Sequence, residues 1–100
     1  MKKLFISQPM RGKTDEQIKL EREKAIEIAK EILKEDIHII DSYFEDYNPS
    51  KGCIPLKFLA KSLELLADAD IVYFANGWDE ARGCKIEHDC AVLYNIPCIY

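Results

Sequence analysis

The chain has 100 residues, 48% of them apolar and 32% charged, with a formal net charge of −4. That length and balance suit one ordinary globular domain, expected to span residues 1–100, with a core that needs no staples. The charge gives no sign of a nucleic-acid-polymer or membrane surface. No apolar run reaches transmembrane length, no secretory-signal pattern follows Met1-Lys2-Lys3, and a cytoplasmic protein is expected.

Lys3-Leu4-Phe5-Ile6-Ser7 reads as a short buried strand. A turn follows, Gln8-Pro9-Met10-Arg11-Gly12-Lys13. Thr14-Asp15-Glu16-Gln17 then has the form of a capping box, with Thr14 as N-cap and Gln17 reaching back. The helix it opens is expected to run to about Glu35. Ile18, Ala25, Ile28, Ala29, Ile32 and Leu33 recur along it at helical spacing, and Lys and Glu fill the other face. Ile37-His38-Ile39-Ile40 reads as a second buried strand, with His38 as a hydrogen-bonded structural histidine.

Asp41 to Ile54 is a long connection for so small a domain, and such segments often serve as lids or binding loops. Its aromatics, Tyr43, Phe44 and Tyr47, can stack on a base, pack the loop onto the body or meet a second subunit. Pro55 suits a first helical turn, and Leu56, Leu59, Leu63 and Leu66 form an apolar stripe. That helix is expected to end near Ala67-Asp68-Ala69-Asp70. Ile71-Val72-Tyr73-Phe74 is a third strand, followed by a helix through Glu87 to about Tyr94. Asn95 is a C-cap candidate, Pro97 stops the helix, and Cys98-Ile99-Tyr100 is a fourth strand.

Strands apolar on both faces, alternating with helices, predict a parallel sheet covered on both sides. Right-handed crossovers then leave few topologies. The expected architecture is α/β, a flavodoxin-like three-layer sandwich with a four-stranded parallel sheet in the order 2-1-3-4. Ligands of such sheets bind beyond the carboxyl ends of the strands where the winding reverses, here between strands 1 and 3. The loops leaving those strands are Ser7 to Lys13 and Ala75 to Arg82.

The second of these loops leads into Gly83 and Glu87, one helical turn apart. Glu87 near the positive end of a helix is expected to favour its ionised form, and Gly83 has no side chain to obstruct a ligand. A carboxylate so placed is a candidate nucleophile. The first loop ends at a helix N-terminus, where unpaired amides bind anions, and Arg11, Gly12 and Lys13 suit that use. It approaches the phosphate-loop pattern, with Ser7 in place of the first glycine. An NTPase is nevertheless excluded, because no apolar strand ends in the acid that would handle Mg²⁺. The four cysteines form no Cys-x-x-Cys pair, and reduced, mostly buried thiols are expected. Cys84 and His88 make half a metal site with no second pair, so no metal is expected.

Three segments together, Leu4-Phe5-Ile6-Ser7-Gln8-Pro9-Met10-Arg11-Gly12, Ala69-Asp70-Ile71-Val72 and Gly83-Cys84-Lys85-Ile86-Glu87-His88-Asp89-Cys90-Ala91, resemble the nucleoside 2-deoxyribosyltransferase superfamily across nearly the whole chain. The resemblance implies that Glu87 attacks the anomeric carbon of a 2′-deoxynucleoside. The nucleobase leaves, and a deoxyribosyl-enzyme ester is resolved by a second base (transferase) or by water (hydrolase). It also matches Gly83 to a glycine beside the sugar. The expected substrate-binding set, from the two loops and this match together, is Ser7, Gln8, Met10, Arg11, Gly12, Asn76, Trp78 and Gly83. In the nucleotide N-hydrolase branch, the loop matching Arg11 and Gly12 cradles a 5′-phosphate.

The chain departs from the family at several places. Phe5 stands where some members carry tyrosine, Ser62 near a family aspartate, Ala81 for a serine or acid, and Pro9 for a phosphate-loop serine. Asp79 can stand in as the second catalytic acid or cap a helix. Asn76 and Trp78 can frame a base, or Trp78 can cover the core edge. A non-catalytic nucleotide or phosphorylated-sugar binder and a plain assembly domain remain the alternatives. No cofactor is implied, the expected partner is a small nucleoside or nucleotide, and a homodimer is expected.

Overall fold

The computed structural model describes residues 1–44 and 46–100; Glu45, inside the long connection for which ligand stacking, packing and subunit contact were all open, lies outside the described residues. The strands are β1 (Lys2–Ser7), β2 (Ile37–Ile39), β3 (Ile71–Phe74) and β4 (Cys98–Ile99). The helices between them are α1 (Asp15–Leu33), α2 (Ile54–Leu66) and α3 (Arg82–Leu93), with a 3-10 turn at Trp78–Glu80 before α3. All pairings are parallel and the order is β2-β1-β3-β4, as expected for a flavodoxin-like sheet.

Strand periodicity assigns the two faces. Leu4 and Ile6 pack with Ala25 and Ala29 of α1, joined by Ile37, Ile71 and Ile99. The alternate residues Phe5, Val72 and Phe74 pack with Leu66 of α2 and Ala91 of α3. Successive side chains of a strand point to opposite faces, so the buried run 4–7 of β1 serves both layers. Each fully buried Leu, Ile or Phe contributes about 1.5–3 kcal/mol over an exposed one.

The helix ends follow local chemistry. Thr14 Oγ1 accepts from the Gln17 amide at 3.2 Å, and Gln17 Oε1 accepts from the Thr14 amide at 2.9 Å, completing the capping box. α1 stops at Leu33, two residues short of the expected Glu35, because Lys34 turns left-handed at φ 54°. At the end of α3, Asn95 adopts φ 60° one position after the cap Tyr94. Its amide donates to Val92 O at 3.3 Å and that of Ile96 to Ala91 O at 2.8 Å, which is a Schellman closure.

Three expectations change. β2 is an edge strand with Ile37 buried and His38 exposed, and among the described residues the His38 side chain makes no hydrogen bond. Of the leucine stripe on α2 only Leu66 is fully buried, while Leu56, at the helix start, is 59% exposed. Among the thiols only Cys84 is fully buried; Cys53 is exposed, and all of them are free.

Candidate active site

Beyond β1 the same alternation sends neighbouring side chains to opposite layers. Ser7 faces α3, where its Oγ donates to Glu87 Oε1 at 2.7 Å. Gln8 faces α1, where its Nε2 donates to Ile18 O at 3.2 Å and to Glu21 Oε1 at 3.0 Å. Arg22 Nη1 donates to Gln8 Oε1 at 3.1 Å and to Ser42 Oγ at 3.1 Å, and Nη2 donates to Ile40 O at 3.3 Å. Ser42 Oγ in turn donates to Ile6 O at 3.2 Å. Burial draws the Arg22 pKa down from the usual guanidinium value, partly offset by Asp41. Both amide hydrogens of Gln8 are committed within the protein, and Gln8 is 5% exposed. Its side chain therefore braces the loop instead of offering those donors to a ligand.

The two loops meet as the sheet order requires. The Ala75 amide donates to Ser7 O at 2.9 Å, carrying the ladder one step past β3. Gly77 has φ 88°, and a Cβ there would sit 3.5 Å from Pro9 Cγ. In the first loop the Lys13 amide closes a turn onto Met10 O at 3.1 Å, and Gly12 has φ 79°, a conformation open to glycine at little cost.

Between these loops, the start of α3 and the β2–α2 connection lies a cleft of about 760 Å³. Gln8, Met10, Arg11, Asn76, Gly83 and Glu87 all line it. Gly12, Trp78 and Asp79 do not. Gly12 forms the outer bend of its turn. Asp79 is exposed on the 3-10 turn, and its neighbour Glu80 lines the cleft instead. Trp78 joins Phe74, His88 and Tyr100 in an aromatic cluster, with ring centroids 5.3, 4.2 and 5.7 Å away. His88 turns the same way, its Nε2 2.7 Å from Tyr100 Oη, while Cys84 one turn earlier lines the cleft.

Spacing alone did not point to several lining residues. Glu80 comes from the turn before α3 and Arg82 is the first residue of α3, which starts without a side-chain cap. Ser62 of α2 also lines the cleft, as do Phe44 and Phe58, which stack at 5.8 Å with an 11° tilt. Tyr47 meets both rings edge-on, and Lys61 lies 5.7 and 5.4 Å from the Phe44 and Tyr47 ring centroids. Of the roles open to the loop aromatics, packing onto α2 is the one these contacts display, with Phe44 also forming cleft wall. Tyr43, another lining residue, donates to Asp15 Oδ1 at the start of α1.

The electrostatics centre on Glu87. It is 7% exposed, and burial pushes its pKa up to about 7 against the opposing Ser7 hydrogen bond. The expected preference for the ionised form is thus reversed. The helix field fades beyond the first turn, and Glu87 lies in the second, so desolvation dominates. Burial likewise raises the Cys84 thiol, which Ser7 opposes and the Glu87 charge reinforces. Lys13 is paired with Glu21 at 2.7 Å, whereas Arg11 and Arg82 have no ion pair among the described residues. Glu87 Oε2 accepts no hydrogen bond there either. Among the described residues no fully enclosed side-chain oxygen or nitrogen lacks a partner, so the unpaired Oε2 is not sealed off, and Glu87 lines the cleft.

Fold and site together define a flavodoxin-like α/β protein with a buried carboxylate at the open end of a parallel sheet. The chain matches the family model described as a domain of unknown function, DUF4406, over residues 2–100, and it belongs to that family. No curated protein and no solved structure matches it. Among the described residues no helix is long and apolar enough to cross a membrane.

Proposed function

We propose that the protein cleaves or transfers the N-glycosidic bond of a nucleoside or nucleotide, with Glu87 as nucleophile. The observation that carries this reading is the Glu87 carboxyl group, held on one oxygen by Ser7 and open on the other to a cleft with an aromatic wall. A bond forms from the free oxygen to C1′ as the C1′–N bond breaks, and the electron pair leaves with the base. Water or a second base then resolves the ester. Arg11, Arg82 and the amides at the start of α3 suit the anionic or hydroxyl end of the substrate. Glu80 takes the place given to Asp79 as the second acid of the cleft.

Two copies, in the cytoplasm, belong to the same proposal. The exposed Leu56, one turn before the cleft-lining Leu59, gives the start of α2 an apolar edge that a homodimer would cover. A monomer by sedimentation at micromolar concentration would remove that part.

The decisive test is incubation with the 2′-deoxynucleosides and their 5′-monophosphates, followed by chromatography for free base. Release by the native chain and its loss in Glu87→Ala, with an unchanged fold, is the expected result. Turnover surviving in Glu87→Ala removes Glu87 from the mechanism. A second reading, a nucleotide or phosphorylated-sugar binder without turnover, is favoured by Pro9, Ser62 and Ala81 in the cleft lining, where the resembled family carries other polar partners. Calorimetric binding with no product after prolonged incubation would select it.

A further inference from the structure

We propose that Ser7 is the positioning residue of the Glu87 carboxylate, its hydroxyl fixing Oε1 and so turning Oε2 onto the cleft. This deepens the reading of Glu87 as nucleophile and rests on it.

The geometry is specific. Ser7 is 1% exposed and does not line the cleft, so it acts through Glu87 and not on a ligand. Its backbone is fixed from the β3 side, in register with Phe74 and accepting from the Ala75 amide at 2.9 Å. The hydroxyl therefore projects from a backbone position held in the sheet. Glu87 has no other hydrogen-bond donor among the described residues. Phe5, two residues back on the same strand face, offers none. One oxygen held and one left open is the arrangement a carboxylate nucleophile needs, because a carboxyl group free to rotate spends little time aligned with its target.

The groups that share the cleft with Glu87 are few. Cys84 and Arg82 come from its own helix, Glu80 from the turn before it, Arg11 and Lys13 from the first loop, and Tyr43 from the β2–α2 connection. Lys13 is already engaged by Glu21. No charged side chain of α2 lines the cleft. Ser7 is thus the one contact working against the desolvation of Glu87. Losing it should act twice, on how readily the carboxyl ionises and on where its free oxygen points.

The test compares the native chain with Ser7→Ala, Ser7→Cys and Ser7→Thr. The Glu87 carboxyl carbon is titrated by ¹³C NMR, with Glu87→Gln identifying its signal. In Ser7→Ala the midpoint should rise by about one unit or more, the size expected for a lost charge-assisted bond. Ser7→Cys, with a weak donor of similar volume, should fall between, and Ser7→Thr should restore the native midpoint. Base release, measured above both midpoints where the carboxyl is ionised in every variant, should drop at least about tenfold in kcat for Ser7→Ala with KM little changed. An unmoved midpoint in a folded Ser7→Ala overturns the proposal, as does a raised midpoint with undiminished kcat. If the native chain releases no base from any substrate, the glycosidic reading fails on its own, and the positioning role that depends on it falls too. The NMR midpoints then still decide whether Ser7 governs the carboxyl.

Discussion

The Arg22 guanidinium donates to the Gln8 side-chain oxygen at 3.1 Å, tying the first residue past β1 to the middle of α1. Through Ser42 Oγ and Ile40 O the same group also holds the chain leaving β2. Arg22→Ala leaves these acceptors short of a donor and should cost about 3 kcal/mol in urea unfolding. Arg22→Lys should recover less than half, because a single ammonium cannot serve three diverging acceptors. A cost under about 1 kcal/mol would mean the network contributes little.

Stability should fall as pH rises through the range in which Glu87 titrates. Its folded pKa is about 7 and its reference value 4.5, so between these the folded state binds more protons than the unfolded chain. Its contribution is fully present below 4.5 and is lost as pH climbs through 7, a swing of about 3 kcal/mol. Glu87→Gln should flatten this part of the profile and raise the melting temperature at pH 8. A native profile with no Glu87-dependent slope would contradict the burial argument.

Gly83 offers a separation of stability from activity. A Cβ there meets only Leu59 Cδ1, at 4.0 Å, so alanine fits. Gly83→Ala should raise stability by up to about 0.5–1 kcal/mol through helix propensity. Gly83→Leu should leave the fold intact while filling the cleft, abolishing nucleotide binding in calorimetry. Native affinity in Gly83→Leu would place the ligand elsewhere.

Trp78 is the sole tryptophan, so its emission reports one location. Packed against His88 and outside the cleft lining, it should show little change when nucleotide is titrated in. Trp78→Ala should instead cost roughly 2 kcal/mol, less than a fully buried ring, by opening the aromatic cluster. Saturable quenching by nucleotide would return Trp78 to the binding surface.

The sheet was legible because strands buried on both faces read as apolar runs, and helices declare themselves by caps and periodicity. Glu87, Arg11 and Gly83 were legible because the strand order alone brings their loops together. The bracing contacts of Gln8 were not legible because its partners lie on α1, and spacing along a strand says nothing about which helix residues it meets. Glu80 and not Asp79 lines the cleft because a 3-10 turn, and not the start of an α-helix, sets the direction of each side chain there. The ionisation of Glu87 depends on how much of the molecule covers it, which no local pattern records. His38 followed from edge position, a property of the assembled sheet.

The opposite facing of Ser7 and Gln8 makes the centre sensitive to phase rather than composition. Conservative replacements along Lys2–Ser7 leave every side chain in its layer, but deleting or inserting one residue would hand the serine to α1 and the glutamine to α3. A lineage carrying this protein can therefore vary that hexapeptide letter by letter, yet a length change within it would strand the carboxylate and the guanidinium at once.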